Sequence, residues 1–590
     1  MKTSRRRFIK LWGAVALTLA TGGAGALLNS CAVAQTETRA EAGGPTTTQP
    51  PAATVPPAST PSASDYGTLD PRKPDNFTAP LNLPRADGGL LGVLDVPAGR
   101  LDLSVSSQAV DIFRGVATNA LAYRAQHNGK TYLNPILRLQ NGSAFAARLS
   151  NGLGEPTIVH WHGLHLDWHN DGHPSYAVGQ GQSYDYAFTL QNRAASYWYH
   201  PHAHQLSGGQ AHRGLASFFL VQDEDEARLT RELDLQFGVT DLPLLIQDKR
   251  FDDRGQFVYL SQGPMEQFSG FLGDVITANL SVNPSLDVST RVYRLRLLNG
   301  SNGRTYRLAF SKGNDRLPFH LIGTDGGLLD QPRQVNELFL SSGERADVLL
   351  DLRALAPGDV VFLRSLAFDP MHNEMGGMMG GAMPHGGHGG MPGMGMGGQG
   401  ATPGPGQMGG MSPSRLDEGE AFYVLKLAVR NRVVFDKPVP KALAEVKPLA
   451  TTDAHVRTID LSASGMEWLI NGQRFAMDKA LFATTRTATE IWEIKNAQAS
   501  MPHPVHVHGF QFQVLERRNS PQQVQSLAVD SAKRLPTDLG WKDTVLVWPG
   551  ETVRIALDFA NTFAGEQTYL LHCHNLEHED QGMMANYRVA

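Results

Sequence analysis

Four short histidine motifs constrain the 590-residue chain more than any other feature. They are His160-Trp161-His162, His200-Pro201-His202, His503-Pro504-Val505-His506-Val507-His508, and His572-Cys573-His574 with His578 just beyond. Side chains two apart on an extended strand face the same way, and those one or three apart face opposite ways. On strands, each His-x-His pair therefore presents two imidazoles to one side. Parity divides the donors into two sets. His160, His162, His200, His202, His506, His508, His572 and His574 form one set of eight imidazoles. Cys573, which points away from His572 and His574, joins His503 and His578 in the other.

The rest of the chain agrees with strands. Val292-Tyr293-Arg294-Leu295-Arg296-Leu297 alternates apolar and basic residues. Val553, Ile555, Leu557 and Phe559 alternate with Arg554, Ala556 and Asp558. Asn141-Gly142, Asn299-Gly300, Asn471-Gly472 and Pro549-Gly550 punctuate such runs as tight turns. Helical periodicity is confined to a short stretch, Glu224 to Leu233. Many short strands at close spacing predict an all-β fold of sandwiches or barrels.

Residues 371 to 411 break the pattern, with ten methionines, His372, His385 and His388 among mostly Gly and Pro. That composition predicts a loop and not a core. The expected organisation is a leader over 1–34, a Pro/Thr-rich tether over 35–65, and β domains over 66–223 and 224–368. A Met/Gly-rich loop over 369–414 and a final β domain over 415–590 complete it.

The leader begins Ser4-Arg5-Arg6-Arg7-Phe8-Ile9-Lys10 before an apolar run to Leu28, which reads as a twin-arginine export signal. Ala32-Val33-Ala34 is one cleavage site. Leu28-Asn29-Ser30-Cys31 is the other, and would leave a lipid tether on Cys31. Both readings place the protein in the periplasm or otherwise outside the cytoplasm. The net charge is -5, and the leader carries five basic residues and no acidic ones, so the exported chain is near -10. Such a chain is a poor nucleic-acid binder. Two cysteines, Cys31 and Cys573, exclude a disulfide scaffold.

A thiolate, two imidazoles and a weak thioether form the ligand set of a blue-copper electron-transfer centre. Met583 is the natural thioether, with adjacent Met584 as the competing choice. Eight imidazoles without carboxylate or thiolate suit copper and suffice for three ions. Cys573 is bonded through its own backbone to His572 and His574, which joins the two sets by a short path. One-electron input at one end and several metals at the other is the layout needed to reduce dioxygen by four electrons.

On these motifs the sequence resembles the multicopper oxidases, laccases and their bacterial relatives. His160-Trp161-His162-Gly163, Tyr199-His200-Pro201-His202, the His503 motif and His572 through Met583 match the four copper signatures of that family. Gly273-Asp274-Val275-Ile276 and Leu297-Leu298-Asn299-Gly300 extend the likeness. The resemblance implies three cupredoxin-like Greek-key β-barrel or sandwich domains and four copper ions. His503, Cys573, His578 and Met583 would hold type 1 copper, and His160 and His506 type 2. His162, His200, His202, His508, His572 and His574 would hold the type 3 pair. Asp171 and Glu579 occupy the positions of acids that assist proton delivery, while Cys573 carries the electron.

The methionine-rich stretch is similar to the insert of bacterial cuprous oxidases, which implies Cu(I) as donor and a role in copper tolerance. Met501 stands where such enzymes place a substrate-copper methionine, but Ala499 replaces their aspartate, with Asp369 or Met371 as substitutes. Laccase-like oxidation of phenols or aromatic amines is the alternative, and a copper-sequestering protein the non-enzymatic one. The expected partners are O2 and a small donor, and the expected state is a monomer.

Overall fold

The computed structural model describes residues 69–96, 99–113, 115–374 and 416–590. The leader, the tether, Cys31 and most of the methionine-rich stretch lie outside the described residues. Among those described, the regular structure is mostly strands, arranged in six sheets. No helix among them is long and apolar enough to cross a membrane.

The sheets bury three large apolar clusters. The first, with Leu103, Tyr123, Phe145, Trp161 and Phe219, draws on residues 94 to 221. It is enclosed by a six-stranded sheet around Arg100–Phe113 and a five-stranded sheet that ends in Val159–His162. The third cluster, around Trp468, Trp492, Val505 and Ile555, draws mainly on residues 459 to 589. Its strands form two five-stranded sheets.

The second cluster lies between two seven-stranded sheets. Here the expected boundary at 415 needs correction. Strand Phe422–Asn431 pairs with Val360–Ser365 and with Pro284–Ser289, and Phe422, Val424, Leu425, Leu427, Val429 and Leu443 are buried in the second cluster. The second unit therefore resumes after the methionine-rich stretch and runs to about Leu443. The low-complexity composition marked an insertion, not a border. The helix expected over Glu224 to Leu233 is present as Glu224–Glu232. It is capped by the Asp223 side chain accepting from the Glu226 N–H, and it buries Leu229.

Strand pairing brings the motifs together. Val159–His162 runs antiparallel to Ala195–Pro201 with His160 opposite His200 and His162 opposite Trp198. His503–Val507 runs antiparallel to Gln567–Cys573 with His506 opposite His572 and Val505 opposite Cys573. Trp161, between its two histidines, points into the first core, where its ring meets Phe145, Tyr186 and Phe219. Burial of that indole fixes which face of the strand His160 and His162 present.

Candidate metal centres

The inward face of the last sheets carries the sulfur centre. Cys573, Val505, Met501 and Met583 are buried in one apolar cluster. The Cys573 Sγ lies 3.5 Å from Nδ1 of His503 and 3.5 Å from Nδ1 of His578. Both imidazoles are tethered by their far nitrogens, His503 Nε2 to Ser500 Oγ at 3.0 Å and His578 Nε2 to the Phe268 carbonyl at 2.9 Å. The Trp468 ring packs 4.6 Å from the His503 ring and 4.9 Å from that of His578, and Phe268 stacks on Trp468 at 4.7 Å. Burial pushes the Cys573 thiol up and His503 down to about 3, the latter with help from the charge on His372. A bound cation reverses the first trend by favouring the thiolate and reinforces the second by favouring the imidazole lone pair. Met583 shares this interior, and its main chain bonds to Cys573 and His578. Met584 instead pairs opposite His572 and lines a surface pocket beside Arg474.

The outward face, set against the first unit, carries the imidazole cluster. His160 Nε2 approaches His506 Nε2 at 3.3 Å, and His162 Nδ1 approaches His200 Nε2 at 3.3 Å. His572 Nε2 lies 3.4 Å from His202 Nε2 and 3.0 Å from His508 Nε2. The ring of His574 packs 5.0 Å from that of His162 and 5.2 Å from that of His200. All eight are buried. Burial, reinforced at most of these rings by the neighbouring imidazoles, depresses the histidines: His200 to about 3, His572 to about 4, the others far below their ordinary value.

The outer nitrogens explain why a metal fits. His160 Nδ1 donates to the Asp171 carbonyl at 2.6 Å, and His506 Nδ1 to the Asp543 carbonyl at 2.8 Å. His200 Nδ1 donates to the Pro201 carbonyl, His572 Nδ1 to the Cys573 carbonyl and His508 Nδ1 to Asp171 Oδ2. A neutral imidazole has one proton, so with the outer nitrogen protonated the inner one bears a lone pair. Lone pairs facing one another at about 3.3 Å repel unless cations lie between them, and soft-to-borderline copper accepts such an all-imidazole set. Among the described residues, the compact donor groups are His160-His506-His508, His160-His162-His200, His202-His508-His572, His503-Cys573-His578 and His162-His506-Asp543.

Both expected acids reach the cluster, from opposite sides. Asp171 bonds His508 as above, and its Oδ1 lies 3.7 Å from His160 Nδ1. Glu579 lies 3.6 Å from His202 Nδ1 and 3.4 Å from His572 Nδ1. Burial raises both carboxyls, with Asp167 and Asp580 respectively adding to it.

Of the expected substitutes near Met501, Met371 shares a backbone donor with Ser500, the neighbour of Met501: the Asn373 N–H donates to both carbonyls. Met371, at φ 54°, packs against the cluster of Phe339, Leu535 and Trp548, while Met501 lies with Cys573. Asp369 Oδ1 accepts the Met371 N–H in a local turn. His165 and His173 bond Gly509 and Asn586, and His212 is buried among Phe257, Tyr259 and Phe271. His169 is exposed and His204 packs on Phe475. None of these five joins the cluster.

Sequence reasoning missed Ser500, Trp468, Asp543, Arg345 and Ser342. Ser342 Oγ lies 3.2 Å from His574 Nδ1, and Arg345 grips Asp543 beside His162. Arg345 and Ser342 come from the second unit, which carries none of the histidine motifs.

Comparison with known proteins agrees with this geometry. Family models described as multicopper oxidase match residues 117–226 and 445–590. Multicopper oxidase mco of Staphylococcus aureus is 27% identical over 490 residues, spanning 82% of this chain and 88% of that protein. The laccase of Bacillus subtilis is 30% identical over 457 residues, 72% of this chain and 78% of the laccase. The crystal structure of McoA multicopper oxidase from the hyperthermophile Aquifex aeolicus is similar with a TM-score of 0.72 at 39% identity, over 86% of this chain and 99% of that one. The protein is thus a copper-dependent oxidoreductase with O2 as acceptor. A buried sulfur centre, an imidazole cluster and relatives of this closeness lead to one conclusion: the chain belongs to the multicopper oxidase family.

Proposed function

We propose that the protein couples one-electron oxidation of Cu(I) at a type 1 copper to four-electron reduction of O2 to water at a trinuclear copper cluster. In this reading His503, Cys573, His578 and Met583 hold the type 1 ion. His160 and His506 hold type 2, and His162, His200, His202, His508, His572 and His574 hold the type 3 pair. Copper would supply a one-electron acceptor at the sulfur and a several-electron donor to O2 at the cluster. The observation that carries the reading is the position of Cys573, bonded through its main chain to His572 and His574 while its sulfur faces the opposite side.

The protein's own groups support each role. Trp468, Phe268 and Val505 exclude water from the sulfur. Asp171 and Glu579, with raised carboxyls against the outer nitrogens, hold and hand on protons near the cluster. Three cupredoxin-like units carry the centres, the second closing near Leu443. A leader of twin-arginine type delivers the folded chain to the periplasm.

Cu(I) as donor rests on the ten methionines and on how their described flanks are tied. His372, at the start of the stretch, bonds Glu374 at 3.0 Å and Glu418, just after it, at 3.1 Å. The neighbouring Asn373 N–H donates to the Ser500 carbonyl, beside His503. The described start of the stretch is thereby tied next to the electron entry, and thioethers are soft ligands for Cu(I). The competing reading is a laccase, favoured by Ala499 in place of the aspartate of cuprous oxidases.

Oxygen uptake by copper-loaded protein tests the choice, first with Cu(I) and then with a dimethoxyphenol as sole donor. Fast uptake with Cu(I) and slow phenol turnover are expected. Fast phenol turnover with slow Cu(I) turnover makes the protein a laccase. No uptake with either donor leaves copper sequestration.

A further inference from the structure

Asp543 stands at the joint of all three units. It directly precedes strand Thr544–Val547, which pairs with His503–Val507 so that Thr544 lies opposite His506. Its carbonyl accepts from His506 Nδ1 at 2.8 Å, and its carboxylate Oδ1 accepts from His162 Nε2 at 3.0 Å. One residue thus fixes the outer nitrogen of a ligand from each end of the chain, and the two rings stack at 3.7 Å.

The tautomers follow from these bonds. A proton on His162 Nε2 leaves Nδ1 free to face His200 Nε2, and a proton on His506 Nδ1 leaves Nε2 free to face His160 Nε2. His162 is thereby set to bind through the nitrogen nearer its own backbone, and His506 through the farther one. A wrong tautomer at either ring turns a lone pair away from the cluster.

The carboxylate is itself held from the second unit. Arg345 donates to both oxygens of Asp543, at 2.7 and 2.6 Å, and its remaining donors reach the carbonyls of Ser196, Asp325 and Gly343. Lys542 pairs with Asp325 and Glu344 at 2.9 and 3.0 Å. Space is tight as well. Gly163, at φ 87°, follows the first motif because a Cβ there would collide with the Asp543 carboxylate and the Arg345 guanidinium.

We propose that Asp543 is the positioning residue shared by two cluster ligands, and that Arg345 acts on the cluster from the second unit by holding Asp543. The proposal rests on the reading of the eight imidazoles as a copper site. It gives a defined role to the second unit, which carries no expected copper ligand. That unit locks the carboxylate that orients His162.

The test is Asp543→Asn, read by copper content, near-ultraviolet absorption, electron paramagnetic resonance of the type 2 signal, and reoxidation of the fully reduced protein by O2. Type 1 colour should persist, while cluster copper affinity or reoxidation falls by roughly 10–100-fold and the type 2 signal changes. Full copper, an unchanged signal and reoxidation within about twofold of wild type would overturn the proposal, since outer-shell partners ordinarily weigh more than that. If Asp543→Asn does not accumulate, Arg345→Lys keeps the charge but loses the two-pronged grip. A smaller loss on the same readouts supports the proposal, and wild-type behaviour overturns it. Wild-type protein with type 1 colour but no cluster copper would instead overturn the underlying copper-site reading, and is seen before any variant is made.

Discussion

The sulfur centre and the imidazole cluster share a strand, yet they are built in opposite ways. His503, Cys573, His578 and Met583 come from the last 88 residues and sit inside a single apolar core. The cluster draws on four motifs spread from His160 to His574, and every unit of the molecule touches it. The sulfur centre relies on packing around Trp468 and two far-nitrogen tethers. The cluster relies on tethering almost every outer nitrogen to an oxygen. A centre made within one core tolerates the loss of a tether, because its walls still hold the rings. A centre made between units has no such walls.

That contrast ranks the expected effects. The largest comes from removing a ligand at the cluster. His572→Ala should abolish donor-driven O2 uptake while the thiolate colour survives, because Cys573 faces the other way. Loss of both signals would mean that the faces are not independent.

Asp171→Asn comes next. It weakens the bond to His508 Nδ1 and removes a proton store, so the O2 step should slow by roughly 10–100-fold, as for other outer-shell partners. The donor-side half-reaction, followed anaerobically, should stay near wild type. Equal slowing of both halves would blur the division between the centres.

Ser500→Ala is smaller. One hydrogen bond to His503 is worth about 1 kcal/mol, so donor oxidation should change only a few-fold, with a shift of the type 1 spectrum and full copper content. A hundredfold loss would show that the walls around Trp468 do not hold His503 by themselves.

The smallest effect concerns His372, at the start of the methionine-rich stretch. Burial opposes charge on His372, but Glu374 and Glu418 outweigh it and hold the imidazolium up to about 10. A histidine raised in the folded state contributes stability that is complete below its ordinary value of 6.5 and is lost as pH rises through about 10. The melting-temperature gap between wild type and His372→Gln should therefore be widest below pH 6.5 and close toward pH 10. A gap independent of pH would remove the ion pairs from the account.

Period-two spacing made the two donor sets legible, because strand parity is a local property. His503 against His506, and Cys573 against its flanking histidines, needed no tertiary information. Alternating runs likewise identified the β class. The limits appear where pairing is nonlocal. Strand Phe422–Asn431 follows a long low-complexity stretch but pairs back to Val360–Ser365, so composition misplaced a boundary. Asp543 sits in an ordinary Trp541-Lys542-Asp543-Thr544 run, and only the pairing of Thr544 with His506 gives it meaning. Ser342 and Arg345 carried no signal, since nothing in a β-rich middle unit marks which loop will face an imidazole.

The most direct test of the division into two centres is Cys573→Ser, loaded with copper, fully reduced chemically and then mixed with O2. One copper per chain fewer than wild type, loss of the thiolate colour, a single round of O2 consumption and no steady-state turnover with Cu(I) are expected. Steady-state turnover at the wild-type rate would contradict the account, because electrons would then reach O2 without passing the sulfur.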